Sequence, residues 1–278
     1  MTITTVAIHK FAVLLKSKDR SPGTIEKYLR DVRAFAVWLD DRELSQETTS
    51  EWRDHLVNKG YAPTTVNSMI SAVNHFLKFT GREDCKIKFL RVQRKAFREQ
   101  SRELTKTEYQ KLLDTAQCCG QERLGLLMET ICATGIRVSE VRYITAEALR
   151  RERADISLKG KIRTILLPSK LCRKLLKYAK KQKIASGEIF LTKSGKLLSR
   201  RQIWREMKAL CKKAGVEESK VFPHNLRHLF AVSFYKVCKD IVKLADILGH
   251  SSINTTRIYL VTTGAEHARQ LEKLGLVT

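Results

Sequence analysis

The stretch Leu244–Leu260, LADILGHSSINTTRIYL, decides how the second half of this chain is built, and it admits two readings. In one, it is the turn and second helix of a helix-turn-helix, a device for holding a DNA groove. In the other, Gly249 ends a helix, His250 lies in the turn, and Ser251 and Ser252 offer N-caps to the helix that follows. Tyr259 then falls about two turns along, where its phenol can serve as a nucleophile in a pocket shared with His250. The first reading yields a binding module, the second a reactive centre.

Two stretches further upstream favour the second. In Ile131–Ile144, ICATGIRVSEVRYI, an apolar helix ends at Thr134-Gly135 and another is expected to begin with Arg137 in its first turn. A cation there opposes the helix dipole, so either Glu140 neutralises it or an anion does. In Val221–Phe234, VFPHNLRHLFAVSF, Pro223 marks a helix start, and His224 and Arg227, three apart, share a face of the next turn. Leu226, Phe230 and Phe234 face the core. Two cation-bearing helix starts in one basic region make sense if both converge on one phosphate, whose oxygens suit guanidinium forks.

The charge agrees. Lys and Arg number 53 against 29 acids, a net of +24, which asks for a polyanionic partner. Residues 1–82 hold 12 basic and 9 acidic residues, whereas residues 104–278 hold 34 and 16. The excess lies in the second part and is dispersed through apolar segments rather than gathered into one amphipathic stripe. That favours nucleic acid over a membrane surface. No run of about 18 apolar residues spans a bilayer, and the N-terminus reads as an amphipathic first helix rather than a signal peptide. The seven cysteines show no metal-ligand spacing and are expected to be reduced thiols of a cytoplasmic protein.

Residues 1–82 predict four helices. SPGTIEKYLRDVRAFAVWL (Ser21–Leu39) and APTTVNSMISAVNHFLKF (Ala62–Phe79) both open on a small residue and Pro, then repeat apolar residues three and four apart. Helices near 3–17 and 48–59 complete the unit. Residues 83–103 lose this periodicity, carry seven basic residues and read as a linker with a phosphate-facing side. Helical patterning resumes at the Thr105–Glu108 capping box. The exceptions are ADISLKGKIRTILLP (Ala154–Pro168), a hairpin about a Lys-Gly-Lys turn, and a second short strand expected over Gly187–Thr192.

ATGIRVSEV, PHNLRHLFA and LGHSSINTTRIYL, in this order with the Lys-Gly hairpin between the first two, resemble the conserved boxes of the tyrosine recombinase, or phage integrase, family. The resemblance covers essentially the whole chain. It implies a mainly α fold: an N-terminal four-helix, SAM-like core-binding domain (1–82), the linker (83–103), and a mostly helical catalytic domain with a small β-hairpin (104–278). It implies a site-specific DNA recombinase or integrase of mobile elements that cuts through a 3′-phosphotyrosine intermediate. Tyr259 would be the nucleophile, with Arg137 and Arg227 binding the non-bridging oxygens. His224 would assist proton transfer, and His250 would hydrogen-bond the phosphate. Lys159 would protonate the leaving oxygen, with Lys161 as the alternative, and Glu140 would support its neighbours. No metal, ATP or other cofactor is implied. The implied partners are double-stranded DNA, a homotetramer on DNA formed from free monomers or weak dimers, and accessory DNA-bending factors. Ala265, Ala268, Leu271 and Leu274 suggest a tail helix exchanged between subunits or docked on its own domain. With the four-helix unit starting almost at once, the N-terminal arm-binding domain of some phage integrases is not expected. A type IB topoisomerase shares this chemistry, and a non-catalytic helix-turn-helix regulator shares only the last stretch.

Overall fold

The computed structural model describes residues 3–92, 102–158, 161–259, 269 and 272–274. The chain divides into two compact units between Arg94 and Lys95.

The first unit consists of α1 (Thr5–Ser17), α2 (Pro22–Leu39), α3 (Gln46–Asn58) and α4 (Pro63–Phe79). The Pro residues open α2 and α4 because the first turn of a helix needs no amide donor there. Ser21 caps α2, and Ser45 with Thr48 closes a reciprocal cap on α3. The apolar stripes meet inside. Phe11 packs edge-on against Phe76 at 5.3 Å and Phe35 against Trp52 at 5.0 Å between centroids, the geometry that aromatic quadrupoles favour.

The segment expected to begin the linker belongs to this unit through residue 92. A 3₁₀ turn at Glu83–Cys85 leads into extended chain, and Cys85 and Ile87 are buried in the helical core. Asn74 donates to the Ile87 carbonyl and accepts from its amide, both at 2.9 Å. Asn67, two turns earlier on α4, does the same for Leu90 at 2.9 and 2.8 Å. Two side-chain amides thus stand in for a neighbouring strand, which satisfies backbone groups in a segment without periodicity of its own. Residues 93–101 lie outside the described part of the chain.

The second unit is also mainly helical. α5 (Lys106–Cys118) starts at the expected Thr105–Glu108 capping box, and α6 (Glu122–Thr134) runs through the core. After a 3₁₀ turn (Val138–Tyr143) come α7 (Ala146–Arg150) and an antiparallel hairpin, β1 (Arg153–Leu158) and β2 (Lys161–Leu166). Its register runs from Arg153↔Leu166 to Leu158↔Lys161. α8 (Ser169–Lys181), α9 (Arg200–Ala214), α10 (Pro223–Cys238), α11 (Ile241–Leu248) and α12 (Ile253–Arg257) complete the unit. Residues 187–192 form only two isolated bridges, Thr145↔Glu188 and Leu191↔Leu197, in place of the expected strand. α6 packs against α5, α8, α9 and α10, so Leu127, Met128 and Ile131 are shut off from solvent. Because α6 is fixed on several sides, its C-terminal end is a rigid platform.

Candidate active site

That end is where the site begins. Gly135 reverses the chain in the left-handed region, and a Cβ there would overlap the Phe230 ring, so only glycine fits. Arg137 follows at the cap of the 3₁₀ turn, where the sequence predicts the first turn of an α-helix. Glu140 resolves the electrostatic oddity of a cation at this position. Its carboxylate takes the Arg137 amide at 2.7 Å and the guanidinium at 3.0 Å. Glu140 is buried while the Arg137 side chain remains 41% exposed, so the acid anchors one edge of the fork and leaves another to solvent.

α10 brings Arg227 to the same place from beneath. It is buried, and donates to Gly135 O, to Leu248 O at 2.7 Å and to His250 Nε2 at 2.9 Å. Burial lowers its pKa to about 10, helped by the Arg137 charge and opposed by a hydrogen bond to Tyr259. Arg227 therefore stays a cation at neutral pH.

α11 ends against this cluster. Its last carbonyls are claimed in succession by three arginines: Ile247 O by Arg163 at 2.7 Å, Leu248 O by Arg227 at 2.7 Å and Gly249 O by Arg137 at 3.3 Å. The negative end of a helix dipole and its unpaired carbonyls suit such donors. The pocket thereby gathers three guanidinium groups around one carboxylate, an excess that favours an anion.

His250 and Tyr259 lie beside them. A guanidinium only donates, so His250 Nε2 is an acceptor toward Arg227 and its Nδ1–H donates to Thr256 Oγ1 at 2.8 Å. Burial, then the charges of Arg227, Arg137 and Arg163, lower the His250 pKa to about 4, so the ring is neutral at pH 7. Tyr259, expected about two turns into the last helix, is only 4% exposed and sits just past the end of α12. Its ring stacks on His250 at 5.7 Å and 7°, and lies 5.7 Å from His224 and 5.4 Å from His228. Leu244, Leu248 and Ala231 form the apolar side of its seat.

The structure thus brings together Arg137, Glu140, His224, Arg227, His250 and Tyr259. Lys159 lies outside the described residues, as do Ala265, Ala268 and Leu271 of the expected tail helix; Leu274 is described and is 59% exposed. Nothing is described of the Lys161 side chain. The helix-turn-helix reading does not hold, because α12 has five residues and a buried Thr256, too short to serve as a recognition helix. Two residues went unread. His228 packs on Tyr259 from the buried side of α10. Arg163 reaches Glu140 Oε2 at 2.5 Å from β2. It shares the inward face of the strand with buried Ile165 and Leu167, a side that the sequence, with Ile162 and Leu166 on the other face, does not single out. Among the described residues no group of three or more His, Cys, Asp or Glu could hold a metal ion.

A buried phenol ringed by imidazoles beside clustered guanidinium groups, in a helical domain with one hairpin, defines a tyrosine recombinase, the class of enzymes that cleave and rejoin DNA. Residues 102–265 match the phage integrase family, and residues 8–84 its N-terminal SAM-like domain. Tyrosine recombinase XerA of Thermococcus kodakarensis is 29% identical over 273 residues, covering 96% of this chain and 94% of the relative. Tyrosine recombinase XerD of Halalkalibacterium halodurans is 28% identical over 268 residues, covering 87% and 88%. Among solved structures, the fold is similar to XerH bound to a palindromic difH substrate in a post-cleavage complex, with a TM-score of 0.74, 18% identity and coverage of 97% and 83%. It is also similar to a lambda integrase tetramer bound to a Holliday junction, with a TM-score of 0.73, 16% identity and coverage of 91% and 76%. The chain belongs to the phage integrase family.

Proposed function

We propose that this protein is a site-specific recombinase that exchanges strands between two DNA duplexes through a covalent 3′-phosphotyrosine, as a tetramer assembled on DNA from free monomers or weak dimers. The observation that carries the reading is the seat of Tyr259. Its phenol lies against His224 and His250 and within hydrogen-bonding reach of Arg227, and the partly exposed Arg137 holds the carbonyl next to the one that Arg227 holds.

In this reaction the Tyr259 oxygen attacks the scissile phosphorus, forming a Tyr–O–P bond and breaking the bond from phosphorus to the 5′-oxygen. His224 accepts the phenolic proton, and Lys159, with Lys161 as the alternative, gives a proton to the leaving oxygen. Arg137 and Arg227 hold the non-bridging oxygens as charge builds in the transition state, where preorganised cations are most effective. Glu140 keeps Arg137 in place. His250, neutral in the free site, gains a nearby anion when phosphate arrives. That raises its pKa and converts Nε2 from an acceptor toward Arg227 into a donor toward the phosphate. The phosphotyrosine conserves the bond energy until a 5′-hydroxyl from the other duplex attacks and releases Tyr259, so neither ATP nor metal is required. Such a protein works in the cytoplasm.

The test is to incubate the protein with duplex DNA from the flanks of its own gene, trap covalent adducts and sequence them. Adducts at one position, with none for Tyr259→Phe at equal DNA binding, are expected. Relaxation of supercoiled plasmid by a monomer without a preferred position would instead make the protein a topoisomerase. Unaltered binding with no adduct for the wild type would reject catalysis.

A further inference from the structure

Arg163 is out of place as a strand residue. β2 turns its odd-numbered positions inward, toward buried Ala154 and Ile156 of β1, and its neighbours on that face, Ile165 and Leu167, are buried. Ile162 and Leu166 point out to solvent instead. An aliphatic side chain at 163 would fill the inward position without the cost of moving a charge out of water. The Arg163 side chain is 18% exposed. Burial holds its pKa below the usual guanidinium range, and Glu140 pushes the other way.

The two groups it reaches give this burial a purpose. One nitrogen donates to Glu140 Oε2 at 2.5 Å, the same oxygen that takes the Arg137 amide. The other donates to Ile247 O at 2.7 Å, in the last turn of α11, whose next two carbonyls hold Arg227 and Arg137. The stem lies on Gly249. A Cβ there would come within 2.6 Å of Arg163 Cδ and 2.8 Å of Nε, so the turn before His250 is bare where this side chain crosses it. One residue therefore ties the hairpin, the acid that orients Arg137, and the turn that presents His250.

We propose that Arg163 is a positioning residue for strand cleavage, acting through Glu140 to hold the Arg137 guanidinium and through Ile247 to hold the His250 turn. The proposal rests on the functional reading above. Arg163 touches no reacting atom. Its removal leaves Glu140 held by Arg137 alone, through that residue's amide and guanidinium, so the acid and the fork it orients can shift together by a fraction of an ångström or more. Misplacements of about 1 Å can lower rates on the order of 100-fold.

The experiment uses the full chain and an end-labelled duplex spanning the cleavage position mapped by adduct sequencing. Arg163→Met keeps most of the stem, and Arg163→Lys keeps the charge but loses the fork. Single-turnover adduct formation at saturating duplex is expected to fall about 30- to 100-fold for Met and about tenfold or more for Lys. Half-saturation should stay within about threefold of wild type. The lysine variant, whose melting temperature should stay near that of wild type, covers the case in which the methionine variant folds poorly. Because the action runs through Glu140, Arg163→Met/Glu140→Gln should be no slower than the worse single variant. Losses that multiply, or an adduct rate for both variants within threefold of wild type, overturn the proposal. So does recovery of the rate on a duplex with sulfur at the bridging 5′ position, which would assign Arg163 to the leaving group. Absence of any wild-type adduct overturns the functional reading, and this proposal with it.

Discussion

Each unit buries one carboxylate among its described residues, and the two are used in opposite ways. In the first unit Asp31 is held by its own helix, with Lys27 at 2.6 Å one turn back and Arg30 at 3.1 Å beside it, both partly exposed. In the second unit Glu140 is held by Arg137 in its own turn and by Arg163 from a strand 23 residues away. The pairs around Asp31 are local and would form in an isolated α2. The Arg137 bonds to Glu140 are equally local, but the one from Arg163 exists only when the hairpin has docked on the 3₁₀ turn. A local pair adds to the stability of its helix, whereas a pair spanning several elements fixes where functional groups stand relative to one another.

The sharpest way to break this contrast is Glu140→Gln. The amide nitrogen would face guanidinium donors, so adduct formation at saturating DNA is expected to drop on the order of 100-fold, with stability falling about 3 kcal/mol as a buried pair is broken; single-turnover cleavage and urea unfolding measure the two. Asn74→Ala probes the first unit where it does depend on a long-range contact. Removing both bonds to Ile87 should cost about 1–3 kcal/mol and speed hydrogen exchange at the Ile87 amide, with cleavage chemistry unchanged. Asp31→Asn should cost about 1 kcal/mol or less, since both partners are partly exposed, and should leave the adduct rate alone. A large catalytic effect there would erase the distinction between the two acids.

The last test is a pH dependence. His250 has its folded pKa near 4, below the ordinary histidine value of 6.5, so the unfolded chain takes up a proton first as pH falls. Its contribution is fully present above about pH 6.5 and is lost toward pH 4. Melting curves over this range should fall less for His250→Gln than for wild type. An equal fall in both would remove His250 as the source.

The helices of the first unit were legible because their apolar residues recur at helical spacing and Pro marks two of the starts. The pocket residues were legible because Arg137, His224, Arg227, His250 and Tyr259 fall in ordered short motifs marked by helix-ending Gly135 and Gly249 and by helix-opening Pro223. The rest required tertiary structure. Residues 83–92 have no periodicity because a 3₁₀ turn gives way to extended chain, which buried Cys85 and Ile87 and the Asn67 and Asn74 side chains join to the core. Gly187–Thr192 looks strand-like, yet only isolated bridges form there. Arg163 was hidden because a strand with Ile162 and Leu166 on one face and Ile165 on the other leaves its inward side undetermined, and the deciding partner is an acid on another element.

The three successive carbonyls at the end of α11 carry a lesson for interpreting variants. Each guanidinium of the pocket, Arg163 included, also staples the end of that helix, ahead of the segment that carries Tyr259. Exchanging any of these arginines therefore subtracts a charge and, in the same stroke, lets the helix end fray, so a lost activity reports a shifted nucleophile as well as a missing cation.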